Sequence, residues 1–265
     1  MTLLRRAILG AILWAVCWTA ALAEQRVALV IGNAEYRHAA RLANTVNDAR
    51  AMAATLRDSG FELVGGDALL DLDRPAMERA IRDFGRRLGA GTVGLFYYAG
   101  HGIQVNGTNY LIPVGADVAS QADVKYELVD AGFVLDEMTA GAGRLNILIL
   151  DACRNNPFQG RGLRGVSAGL AQVTAPTGTV IGYATQPGAV ASDGAGRNSP
   201  YTEALVRAIG TPGQGILDMF NTVGIAVKNA TGGRQLPWVA SSPLEGSFAF
   251  RPAAAQIAQA PVQEA

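Results

Sequence analysis

One histidine and one cysteine stand where an imidazole could take a proton from a thiol. Tyr97-Tyr98-Ala99-Gly100-His101-Gly102 and Asp151-Ala152-Cys153-Arg154-Asn155 each follow an apolar run that reads as a buried parallel strand. His101 and Cys153 are 52 residues apart. If the two strands are neighbours, both groups fall at the carboxyl edge of the sheet, where open parallel sheets bind ligands. A thiolate, not a thiol, attacks carbonyl carbon, so a cysteine beside a base becomes a nucleophile. His101 would accept the Cys153 proton and later pass it to a departing amine. The backbone N–H groups of Gly102 and Cys153 are candidates for an oxyanion hole, where losing one donor typically costs about 3 kcal/mol of transition-state stabilisation. No third residue orienting His101 can be named from the sequence.

Two acids belong to the same edge. Side chains alternate along a strand, so Asp151 should face the same way as Cys153 and can border a substrate pocket. It can equally satisfy turn N–H groups at the strand end. Asp48, in Asn47-Asp48-Ala49 after the first strand, reads either as a helix N-cap or as a second pocket carboxylate. Two buried carboxylates near a thiolate repel one another and call for a cationic guest. That chemistry predicts Arg or Lys as the residue before the scissile bond.

Competing chemistries fare worse. Gly165-Val166-Ser167-Ala168-Gly169 matches the nucleophile elbow of serine hydrolases, which needs a strand before it and a helix after it. The residues upstream, from Phe158 to Arg164, are no strand, and neither histidine follows Ser167. Two histidines, His38 and His101, and Cys153, without ligand spacing, do not build a closed zinc site. No Walker loop or full dinucleotide fingerprint is present.

The elements that must position these groups alternate. Arg26–Ile31 reads as a strand ending at the Gly32-Asn33 turn, and a helix capped by Asn47 or Asp48 runs to Ser59. Phe61–Val64 reads as a second strand, and Asp73 caps a second helix with Pro75 in its first turn. Val93–Tyr98, Asn146–Leu150 and Thr179–Ala184 are further strands. The Asn106-Gly107 turn joins Ile103–Val105 to Tyr110–Ile112 as a hairpin. Helices are predicted at Phe133–Met138, Pro200–Ile209 and Ile216–Ala230, with terminal strands at Trp238–Ala240 and Ser247–Phe250. This order predicts an α/β fold with a mostly parallel, doubly wound sheet.

The chain has 265 residues, 49% hydrophobic and 17% charged, and a formal net charge of zero. It carries no basic stripe with interleaved aromatics, so nucleic acid is not an expected partner. Arg5-Arg6, the apolar run Ala7–Ala21 and Ala21-Leu22-Ala23 have the order of a secretory signal peptide, assigned to 1–23. An uncleaved membrane anchor is the alternative, and only then is a membrane expected as a partner. Cleavage leaves 20 basic and 22 acidic residues, a net charge of −2, and Cys153 as the sole cysteine. The product is exported, periplasmic or secreted. A lone thiol there is either buried in the core or used. Residues 252–265, rich in Ala, Gln and Pro, read as a disordered tail.

Taken together, Val27-Ala28-Leu29-Val30-Ile31-Gly32-Asn33-x-x-Tyr36, Asn47-Asp48-Ala49, the Gly-His-Gly segment and Asp151-Ala152-Cys153-Arg154-Asn155 resemble the bacterial caspase-like cysteine peptidases. These are the metacaspase and orthocaspase side of the caspase clan, peptidase C14. The likeness extends from about Arg26 to Phe250 and includes Ser192-Asp193-Gly194 and Asn198-Ser199-Pro200-Tyr201-Thr202. The resemblance implies a caspase-like three-layer sandwich, with a mostly parallel six-stranded sheet and helices on both faces, over residues 24–251. A large-subunit-like part would run to about residue 158, a flexible loop over 159–178 and a small-subunit-like part over 179–251. It implies hydrolysis of peptide bonds in protein or peptide substrates by the dyad His101 and Cys153. From metacaspases it implies that Asp48 and Asp151 line a pocket for Arg or Lys. The Gln-Ala-Cys-x-Gly setting of animal caspases is missing, which argues against cleavage after Asp. Paired calcium-binding acids are not evident. Asp117, Asp123 and Asp130 are scattered, so no cofactor or metal, calcium included, is expected. Arg161 and Arg164 are candidate self-cleavage points, against an uncut loop. The competing reading is a catalytically inactive caspase-fold binding or scaffold protein. Oligomeric state is not legible.

Overall fold

The computed structural model describes residues 24–153, 157–158, 165–167, 169–192, 194 and 196–253. The expected leader at 1–23, both candidate cleavage arginines, Arg161 and Arg164, and residues 254–265 of the expected tail lie outside the described residues.

Apolar runs with no polar alternation must be covered on both faces, which is what a parallel sheet flanked by helices provides. β1 (Arg26–Gly32) is such a run, buried at every position after the first. It pairs in parallel with β2 (Glu62–Leu63), with β3 (Leu69–Leu70) and with β4 (Val93–Val105). β4 pairs in parallel with β7 (Leu145–Cys153), and β7 with β9 (Thr179–Tyr183). β10 (Trp238–Ser241) closes that side antiparallel to β9. The main sheet path is therefore six strands, β10-β9-β7-β4-β1-β2. Three short strands decorate the carboxyl end of β4. They are β5 (Thr108–Leu111), β6 (Val129–Asp130) and β8 (Val166–Ser167), which pairs with Gln104 and Val105.

Six helices complete the described fold. They are α1 (Thr45–Asp58), α2 (Arg74–Arg87), α3 (Val124–Glu127), α4 (Ala131–Ala140), α5 (Pro200–Ile209) and α6 (Ile216–Ala230). Their starts follow local chemistry. Asp73 accepts from Ala76 N–H with Pro75 in the first turn, and Ser199 accepts from Thr202 N–H ahead of Pro200. Strand alternation separates the helix groups onto two faces. Tyr97 of β4 meets Thr202 of α5, whereas Gly94, three positions earlier, faces Leu88 at the end of α2. α1, α5 and α6 pack together on the first face, and α2 packs against α4 on the second.

Three sequence readings need correcting. α1 begins at Thr45, ahead of both proposed caps, because Thr45 Oγ1 donates to the Asn33 carbonyl and starts the helix at the strand exit. Asn44 is its N-cap, and Asp48 lies inside the first turn. β4 is one strand from Val93 to Val105, since the hairpin with β5 continues it without a break. Its turn residues Asn106 and Gly107 both have positive φ, the conformation of the tightest hairpin turns. Finally, Phe248 and Phe250 belong to no strand, and the chain there makes only isolated bridges, Gly215 to Ala249 and Pro212 to Arg251.

Candidate active site

The register between β4 and β7 changes at the edge of the sheet. Ala99 is opposite Asp151, but Gly102 is opposite Cys153. β4 advances three residues where β7 advances two, so β4 carries a bulge between Ala99 and Gly102. Bulges bend a strand and re-aim its side chains. Here the re-aimed residue is His101. Adjacent strand backbones lie about 4.8 Å apart, so Gly102 and Cys153 are immediate neighbours across two strand tips.

Two groups from the loop after β1 and one from β4 itself fix His101. Its imidazole is buried, 5% exposed, with Nε2 2.8 Å from the carbonyl of Ala40. A carbonyl only accepts, so Nε2 carries the proton and Nδ1 is the basic nitrogen of the neutral ring. The His101 backbone N–H donates to the Tyr36 hydroxyl at 2.8 Å, and the two rings sit 4.6 Å apart. Tyr98 Oη donates toward the carbonyls of His101 and Ile112, each at 3.0 Å. Gly100 must lack a side chain: a Cβ there would lie 2.4 Å from Tyr98 Oη and 2.7 Å from Tyr36 Oη. At Gly102 a Cβ would lie 2.7 Å from the Ala152 carbonyl. The glycines flanking His101 are thus packing requirements of the bulge.

The two acids come together on a different support. Asp48 and Asp151 are both fully buried. Asp48 Oδ1 accepts from Asn198 Nδ2 at 2.8 Å and from Ser199 N–H at 2.9 Å. Asp151 Oδ2 accepts from Ser199 Oγ and, at 3.0 Å, from Thr202 Oγ1. Ser199 therefore binds one acid with its backbone and the other with its side chain, while capping α5. The positive end of α5 favours anions at this spot. Tyr97 Oη is 2.5 Å from Thr202 Oγ1. Burial, then the nearby charges of Asp151 and Asp48, push the Tyr97 phenol well above its usual range, so it stays protonated. Asn198 also lines a cavity of about 650 Å³ with Ser192, Pro200, Glu203, Arg234 and Gln235.

A family model for the caspase domain matches residues 25–249. The chain belongs to the caspase-domain family of cysteine peptidases. Mucosa-associated lymphoid tissue lymphoma translocation protein 1 of Homo sapiens is 34% identical over 170 residues, which is 64% of this chain and 19% of that protein. Its Mus musculus homolog is 33% identical over the same length and shares. The chain thus spans about a fifth of the length of these relatives.

In this caspase-domain chain the bulge brings His101 beside the β7 tip, and Ser199 joins the two acids. The remaining acids sit elsewhere. Asp123 accepts from Ser120 and Ala119 N–H, and Ser120 holds its carboxyl below the usual range. Asp130 caps α4 through Gly132 N–H, and Asp117 is exposed near His38. Ser167 lies in the two-residue strand β8, and no helix follows among the described residues up to 192, so the serine elbow lacks its geometry. Sequence reasoning missed the Ala40 carbonyl, which no side-chain motif can reveal. It also missed Ser199 as a bridge, although Ser199-Pro200 is a legible helix start.

Proposed function

We propose that this chain is a cysteine endopeptidase in which Cys153 is the nucleophile and His101 its general base. The supporting observation is the bulged β4–β7 register, which sets Gly102 against Cys153 beside an imidazole whose tautomer the Ala40 carbonyl dictates. His101 Nδ1 takes the thiol proton, and the thiolate attacks the peptide carbonyl to give a tetrahedral oxyanion. The N–H groups of Gly102 and Cys153 receive that charge. Collapse breaks the C–N bond, and His101 protonates the leaving amine. Water, deprotonated by His101, then hydrolyses the thioester and restores the thiol.

Asp48 and Asp151 select Arg or Lys before the scissile bond, because two buried carboxylates gain most from a cationic side chain. Hydrolysis of fluorogenic Arg, Lys and Asp peptides by the wild type and Cys153→Ala tests both parts. Equal rates from the two proteins would sink peptidase activity, and cleavage after Asp alone would sink the pocket assignment. The protein acts after export and needs no metal; sequencing the N-terminus of the exported product and assaying in chelator check these points. If the pocket takes arginine, Arg161 and Arg164 become self-cleavage points, visible as new termini in mass spectra of the wild type and missing from Cys153→Ala.

A further inference from the structure

The loop between β1 and α1 touches His101 twice, through the Ala40 carbonyl on Nε2 and through Tyr36 on the backbone N–H. At the bulge His101 leaves the regular ladder, so its N–H is diverted to a side chain. The protons can be assigned in sequence. His101 N–H donates to Tyr36 Oη, Tyr36 O–H donates to Tyr98 Oη at 3.3 Å, and Tyr98 O–H returns to the His101 carbonyl. Two phenols thereby close a ring through both peptide groups of one histidine. The loop is itself anchored. Asp71, held at a φ of 52°, accepts from Ala34 N–H at 2.7 Å and from Glu35 N–H at 2.9 Å. Arg37 N–H donates to the Val114 carbonyl at 2.9 Å.

We propose that Tyr36 is a positioning residue for the general base: its hydroxyl holds the His101 peptide, and its ring holds the imidazole at the angle that keeps Nε2 on the Ala40 carbonyl. This rests on the reading of His101 as base. A displacement well under the length of a bond suffices to disturb proton transfer, and about 1 Å can cost a hundredfold. Removing the hydroxyl leaves a buried N–H without its acceptor while keeping the ring, so the peptide shifts and the imidazole follows. A mispositioned base stabilises thiolate less well, and the Cys153 thiol then ionises at higher pH.

The experiment compares wild type, Tyr36→Phe, Tyr98→Phe and the exposed control Tyr126→Phe. Rates are expressed per alkylatable Cys153, which removes any contribution from unfolded protein. Tyr36→Phe is expected to lower kcat about tenfold with KM within about twofold, and to raise the pH midpoint of Cys153 alkylation. Tyr98→Phe should do the same more weakly, and Tyr126→Phe should match the wild type. An unchanged kcat and alkylation midpoint in Tyr36→Phe would overturn the proposal while leaving the peptidase reading intact. A wild type with no Cys153-dependent hydrolysis would instead remove that reading. Nitrogen NMR of His101 then still decides: a single Nε2–H tautomer in the wild type that becomes mixed in Tyr36→Phe supports the positioning role, and identical spectra overturn it.

Discussion

The base cradle and the acid pair lie on the same sheet edge but are built on opposite principles. His101 is held by neutral groups, a carbonyl and two phenols, all reaching it from outside β7. Asp48 and Asp151 are charged groups held by a helix start, with Ser199 bridging them. Neutral partners fix geometry and tautomer without locking the imidazole into one charge state, which suits the proton transfer proposed for it. A helix N-terminus favours negative charge, which suits the cation pocket proposed for the two acids. Position and charge are therefore separately addressable, and substitutions should separate them.

The largest effects come from cutting each region at its centre. His101→Ala should lower kcat by about three orders of magnitude or more for every substrate alike, since general base and nucleophile act as a unit. Asp151→Asn should lower kcat/KM for Arg and Lys peptides by about two orders of magnitude, the scale of losing one partner of a buried charge pair. It should leave the kcat of any residual neutral substrate within a few-fold. Circular dichroism would establish that both variants fold. If Asp151→Asn depressed all substrates equally, the acid would belong with the base and the division would collapse.

Next come substitutions that deform the cradle or the bridge. Gly100→Ala drives a Cβ into Tyr98 and Tyr36, an overpacking that should cost about 1–3 kcal/mol in urea unfolding and reduce kcat with it. Ser199→Ala removes a helix cap and a hydrogen bond to Asp151, and should cost about 1–2 kcal/mol. Its kinetic signature should be a higher KM for basic peptides, with kcat retained. A fall in kcat without a change in KM would show that α5 supports the base as well as the acids.

The strands were legible because an apolar run buried on both faces has few alternatives, and β1, β4 and β7 are such runs. The histidine and cysteine stand out in the sequence as rare side chains after apolar runs, although β4 continues past His101 to Val105. The bulge was not legible. One extra residue between Ala99 and Gly102 leaves no compositional trace. Asp48 was ambiguous between cap and pocket because its partner, Ser199, is 151 residues away, and only the packing of α1 against α5 brings them together. The carbonyl of Ala40 is invisible in principle, because every residue has one. What sequence hides here is backbone geometry and long-range hydrogen bonding, not side-chain chemistry.

The smallest effect should come from a carboxylate that belongs to neither region. The carboxyl of Asp123 is held instead by the hydroxyl and N–H of Ser120, below its usual range. A group whose pKa is depressed on folding adds stability above the unfolded carboxylate range and loses it as pH falls through the folded value. Asp123→Ala should therefore shift the urea midpoint slightly downward at neutral pH, and the difference should shrink in acid. Because the described hydrogen bonds of its carboxyl run to Ser120 and Ala119, the kcat and KM profiles of Asp123→Ala should overlay the wild type across pH. A change in its substrate preference would mean that acids far from Ser199 also shape recognition, and the charge of the edge could then no longer be credited to one buried pair.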